Sequence, residues 1–124
     1  MRLKEVKTIL NADLLTGHDL LEMEVNTAFG ADLMSDVLTF AKSGCMLLTG
    51  LTNPQIIRTA SILEIAAVIL VRGKKPSPET IRLAEEANIP VLSTKYILFE
   101  AVGRLYEKGI RGCVEKVEGS SVHP

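Results

Sequence analysis

A chain of 124 residues is the length of one ordinary domain, and folding at that size buries about two-thirds of the unfolded surface. A net charge of −1 leaves no basic field to recruit nucleic acid or an anionic membrane, so neither is expected as a partner. The residues are 47% hydrophobic but only 4% aromatic, without tryptophan, so aliphatic side chains must fill the core, as in sheets covered by helices on both faces.

In chain order, Leu3, Val6, Ile9 and Leu10 fit a short amphipathic helix. Leu14-Leu15 and Met23–Thr27 predict strands, the second alternating as a half-buried strand should. Asp32 or Ser35 is a candidate cap for a helix carrying Val37, Leu38 and Ala41. From Gly44 a unit recurs. Three apolar runs, Cys45–Thr49, Ala67–Val71 and Pro90–Ser93, predict strands of a parallel sheet, separated by helical stretches.

Asn53-Pro54 and Ser77-Pro78 each place a good N-cap before proline at the first helical position. The pattern Pro54-x-x-Ile57-Arg58-x-Ala60 repeats as Pro78-x-x-Ile81-Arg82-x-Ala84. Ile and Ala three apart dock each helix on the sheet, and Arg58 and Arg82 fall on the solvated flank. A last helix is predicted from Thr94 to Gly109, with Leu98, Ala101, Val102 and Leu105 as its stripe. Cys113–Val117 predicts an edge strand, and 119–124 a flexible tail after a single domain at 1–118.

Cys45 and Cys113 form no metal or redox spacing, so no metal and no cofactor are expected. Cys45 reads as a buried thiol. The charged N-terminus lacks the apolar stretch of a signal peptide, and no apolar run reaches about 18 residues. A cytoplasmic location is the expectation.

Right-handed crossovers gather the βα turns along one edge of the sheet, and ligands of open α/β sheets bind there. Three turns converge on it: Thr49-Gly50-Leu51-Thr52-Asn53, Arg72-Gly73-Lys74-Lys75-Pro76-Ser77 and Ser93-Thr94-Lys95. Thr49, Gly50, Thr52, Asn53, Arg72, Gly73, Lys74, Ser77 and Thr94 are the candidate ligand-binding residues. They supply hydroxyls, flexible backbone and positive charge beside helix N-termini, the chemistry of a small-anion site. Caps and glycines are equally what any βα turn requires.

Catalytic patterns are missing. The sequence has no phosphate loop, no dinucleotide-binding glycine fingerprint and no nucleophile elbow. His18, in Thr16-Gly17-His18-Asp19, reads as a turn residue, and Glu85-Glu86 as the polar face of a helix. No catalytic residues are expected and the chain is read as a non-enzyme.

The run Ala67-Val68-Ile69-Leu70-Val71-Arg72-Gly73, with Pro76, Pro78-Glu79 and Leu83-Ala84-Glu85-Glu86-Ala87-Asn88-Ile89-Pro90-Val91-Leu92-Ser93-Thr94, resembles the DRTGG domain. It is also similar to the N-terminal domain of HPr kinase/phosphorylase. The resemblance spans about Leu3 to Gly109. It implies a three-layer α/β/α fold with a mostly parallel sheet, in modules that regulate or oligomerise. For some relatives fused to CBS domains it implies a part in regulation by adenine nucleotides, and some stand-alone relatives are encoded near redox enzymes such as hydrogenases.

Leu51-Thr52 stands where the family's Asp-Arg falls, Val71-Arg72-Gly73 where its Thr-Gly-Gly falls, and Ile97-Leu98 replaces an acidic residue and threonine. The phosphate-loop domain of the kinase is absent from this sequence, so no kinase activity carries over. The resulting expectation is a regulatory and oligomerisation module, a homodimer, that binds a small anionic ligand such as an adenine nucleotide. The alternatives are a subunit that docks on a larger partner protein, such as a redox enzyme, and has no small-molecule site, and an unrecognised enzyme using the same edge.

Overall fold

The predicted apolar runs form the middle of a six-stranded sheet in the computed structural model, which describes residues 1–118. The tail expected at 119–124 lies outside the described residues. The strands are β1 (Asp13–Thr16), β2 (Thr27–Gly30), β3 (Met46–Thr49), β4 (Ala67–Leu70), β5 (Val91–Ser93) and β6 (Arg111–Gly112). Their spatial order is β1-β5-β4-β3-β2-β6, with β1 antiparallel to β5 and every other pair parallel.

Every residue of β3 and β4 is buried, which explains why these strands read as unbroken apolar runs. Their side chains still alternate between two cores. Met46, Leu48, Ala67 and Ile69 face one core with α1 (Leu3–Ile9) and α5 (Leu98–Glu107). Leu47, Val68 and Leu70 face the other with α2 (Met34–Phe40), α3 (Pro54–Leu63) and α4 (Pro78–Ala87). The result is the three-layer α/β/α arrangement expected from the sequence.

Residues 54–65 and 78–89 repeat beyond the Pro-Ile-Arg-Ala pattern. α3 ends at Glu64 and α4 at Asn88, both with φ of 58°. Ile65 N–H then donates to Ala60 O, and Ile89 N–H to Ala84 O, each at 2.9 Å. This is the Schellman closure, with the following isoleucine buried under the helix end. Of the two predicted caps, Ser77 Oγ accepts Thr80 N–H, whereas the side chain of Asn53 makes no capping bond.

Four local expectations shift. The strand expected at Met23–Thr27 instead runs from Thr27 to Gly30. Residues before it pair with the N-terminal segment, where Leu3 N–H donates to Met23 O and Val25 N–H to Met1 O. The helix expected from Thr94 begins at Leu98, because backbone groups of Thr94 and Tyr96 bond the Arg72-Gly73 turn. The edge strand expected at Cys113–Val117 is Arg111–Gly112, set by its ladder to Thr27 and Ala28. Neither Asp32 nor Ser35 caps α2, whose N-cap is Leu33 without a side-chain bond.

Candidate functional site

β3 and β4 end side by side in the register Thr49↔Leu70, and Val71 N–H extends the ladder to Thr49 O at 3.0 Å. Thr49, Gly50 and Arg72 are thereby brought together. The pairing Gly30↔Leu48, followed by Ala31 N–H on Leu48 O, carries the β2–α2 connection to the same place. It delivers Asp32.

The Asp32 carboxylate is held by the strand ends. Its Oδ1 accepts Gly50 N–H at 2.7 Å and the Thr49 hydroxyl at 3.1 Å, while Oδ2 lies 3.9 Å from Arg72 Nη1. Thr49 Oγ1 also accepts Leu51 N–H at 3.2 Å, which closes the turn locally. A backbone N–H on a carboxylate is a charge-assisted bond, worth about 1.5–3 kcal/mol net. The ion pair adds little, because both side chains are nearly half exposed, at 44% and 47%.

Arg72 holds a left-handed backbone, φ 63°, and folds its guanidinium across Gly50. A Cβ at Gly50 would collide with that guanidinium, so the missing side chain is what lets the arginine lie there. The neighbouring cations Lys74, Lys75 and Lys95 are exposed.

The other predicted residues serve the scaffold. Thr94 is buried and its hydroxyl donates to Leu10 O at 2.7 Å. Gly73 N–H donates to Thr94 O and Arg72 N–H to Tyr96 O, each at 2.9 Å. Ser93 Oγ donates to Lys74 O. Because α4 and α5 cover opposite faces, the crevice expected of such a fold lies between β4 and β5; these bonds stitch it shut. Thr52 O accepts the Thr80 hydroxyl, Ser77 caps α4, and Asn53 stands exposed at the head of α3.

Asp32, one of the two cap candidates the sequence offered, does not cap α2 but joins this edge. Its true neighbours lie 17 and 18 residues further along the chain, and only the β2–β3 register reveals them.

A second feature lies on the face covered by α5. A cleft of about 540 Å3 opens between α5 and the β2–β6 edge, lined by Ala28, Gly30, Val102, Tyr106 and Arg111 among others. Beside it, Phe99 is 85% exposed, with Val102 and Tyr106 also exposed around Gly103. Among the described residues no group of three or more His, Cys, Asp or Glu is placed to hold a metal ion, and no helix is long and apolar enough to cross a membrane.

Among solved structures, the chain is similar to the CBS and DRTGG domains of the regulatory region of Clostridium perfringens pyrophosphatase, determined with the activator diadenosine tetraphosphate. The TM-score is 0.67 at 22% identity, over 84% of this chain and 45% of that one. This chain thus spans less than half of that structure. No curated protein matches the sequence. The model of the DRTGG domain matches residues 5–107, most of the chain, from within α1 to the end of α5. The chain belongs to the DRTGG domain family.

Proposed function

We propose that this domain is a non-enzymatic regulatory module that self-associates and takes a small anionic ligand, such as an adenine nucleotide, at the edge formed by Thr49, Gly50 and Arg72. The observation that carries the reading is the carboxylate of Asp32, already held there by Gly50 N–H and the Thr49 hydroxyl beside a guanidinium. Donors that hold one carboxylate oxygen suit a phosphate or carboxylate oxygen of a ligand. Lys74 and Lys95 flank the turn and add positive potential. The likeness to a regulatory region solved with a dinucleotide activator supports the class of role.

The test is a thermal-unfolding scan of the purified domain against inorganic phosphate, adenine nucleotides and small dicarboxylates. A ligand at about 100 times its dissociation constant stabilises the fold by about 2.7 kcal/mol, which at this chain length is a shift of roughly 10 °C. The reading requires a shift for at least one anion that Arg72→Ala abolishes while the variant stays folded. A flat panel sinks it.

A second reading, a subunit that docks on a partner protein, is favoured by the exposed stripe on α5. Gly103 sits inside a helix, where glycine costs about 1 kcal/mol relative to alanine. Among the described residues, nothing beyond its own helix turn and chain neighbours lies within 4 Å of where its Cβ would be, so internal packing does not require it. A small residue flanked by exposed Phe99 and Tyr106 suits close approach of another helix. The same stripe also serves the self-association of the first reading, with α5 of a second copy packed on it about a two-fold axis. Light scattering over a concentration series checks this: Gly103→Leu should weaken a dimer without lowering stability, and a monomer at all concentrations rejects self-association.

A further inference from the structure

We infer that Asp32 is an internal occupant of the anion site, which an incoming anion displaces, and that its release loosens α2. This rests on the anion-binding reading proposed above. Gly50 N–H has one hydrogen to give, and Asp32 Oδ1 takes it at 2.7 Å. A ligand oxygen cannot take that donor while Asp32 stays. The two arrangements exclude one another, so the apparent affinity of any ligand is reduced by the fraction of molecules in which Asp32 is bound.

The tether is strong enough to matter and weak enough to exchange. Its best component is a single charge-assisted hydrogen bond, and the partner guanidinium is 3.9 Å away and half exposed. A phosphate brings more charge to Arg72 and to the exposed Lys74 and Lys95 than one carboxylate does.

Asp32 lies between the last ladder bond of its segment, Ala31 N–H to Leu48 O, and α2. α2 is seven residues long, lacks a side-chain N-cap, and has Val37 as its fully buried side chain. Leu33 and Leu38 are largely exposed. Met34 also packs part-buried on the core and Phe40 meets Phe29, but with a single fully buried side chain the helix opens locally at lower cost than its neighbours. Releasing Asp32 removes the side-chain bonds that hold the start of the helix to the sheet, so occupancy at the edge becomes a change in α2.

The experiment uses the full chain and its Asp32→Ala and Asp32→Asn variants. Titration calorimetry measures affinity for inorganic phosphate and ATP, and hydrogen exchange is followed at residues 34–40. Asp32→Asn keeps the shape of the side chain, so it remains informative if Asp32→Ala unfolds. Removing the occupant should tighten phosphate or ATP binding by about fivefold or more, with Asp32→Asn intermediate. Exchange in α2 should quicken on adding phosphate to the natural chain and be fast already in Asp32→Ala. Binding to the natural chain with no gain in either variant overturns this inference and leaves the anion reading standing. Unchanged α2 exchange in a variant that binds more tightly overturns the coupling to α2. No binding by any of the three at millimolar ligand overturns both.

Discussion

Gly50 N–H donates to Asp32 Oδ1 at 2.7 Å, and the guanidinium of Arg72 lies over the same glycine where a Cβ would be. The carboxylate and the arginine therefore meet across a residue chosen for what it lacks. Gly50→Ala should push only the flexible end of Arg72 aside. It should cost no more than about 1 kcal/mol, since a side-chain end yields more cheaply than backbone. Any anion-dependent rise in melting temperature should be lost with it. A variant that melts normally and still responds to anions contradicts the placement of Arg72.

Thr16 supplies a second test, of the fold rather than the site. Its buried hydroxyl donates to Ile89 O at 2.7 Å and accepts Val91 N–H at 2.9 Å, bridging the irregular end of the β1–β5 pair. Thr16→Val keeps the shape and strands both backbone groups. Leaving buried groups unpaired costs about 1–3 kcal/mol. Thr16→Ser should recover most of that loss in a denaturant titration.

Gly17 follows with φ of 85°, and a Cβ there would lie 2.7 Å from Pro90 Cβ and 2.8 Å from Pro90 Cα. The obstacle includes backbone, which cannot swing away. Gly17→Ala should cost about 2 kcal/mol or more, seen as a lower melting temperature. A neutral result would mean that β1 and β5 are joined differently.

Glu64 and Asn88 both hold the left-handed position that closes their helices. A residue with a side chain pays about 1–2 kcal/mol for that backbone, partly returned by the greater freedom of glycine in the unfolded chain. Glu64→Gly should therefore stabilise the fold slightly, by up to about 1 kcal/mol. The gain should add to that of Asn88→Gly, because the two helix ends make separate closures. Thermal melts of the two single variants and the double variant check both statements.

Burial pushes the Cys45 thiol up from 9.0 to about 12, and the Cys113 thiol beside it adds to the rise. A neutral-pH thiol reagent should label the partly exposed Cys113 first and Cys45 only as the protein unfolds. In the unfolded chain Cys45 ionises near 9.0, whereas in the fold it stays neutral until about 12. Its contribution is fully present below pH 9 and is lost as pH rises towards 12. Cys45→Ala should flatten that alkaline decline relative to the natural chain, measured as the difference between two denaturation series.

Much of the fold was legible in the sequence because its signals are local. Ala67–Val71 could be read as a doubly buried strand from its unbroken apolar run, and Ser77-Pro78 as a helix start from capping chemistry alone. Family membership was readable from residues 67–94 for the same reason. The errors fall where a residue's partner lies far along the chain. Met23–Thr27 alternates well enough for a strand, but Met1 and Leu3 take its backbone bonds, and the ladder moves on to Ala28 and Phe29. Thr94 has the composition of a helix cap, yet its hydroxyl is committed to Leu10 O, 84 residues earlier.

The candidate site divides along the same line. The sequence by itself determined which edge of the sheet collects Thr49, Gly50 and Arg72, because βα units of one hand leave all their turns on one side. Tertiary structure alone decided that the crevice between β4 and β5 is stitched shut by Gly73 and Thr94, and that Asp32 reaches Gly50. Both outcomes depend on strand register, which is fixed by the packing of Met46–Thr49 against its neighbours on two faces at once. A one-residue slip there would turn every buried side chain to the other face, and no local pattern around Asp32 records which register prevails.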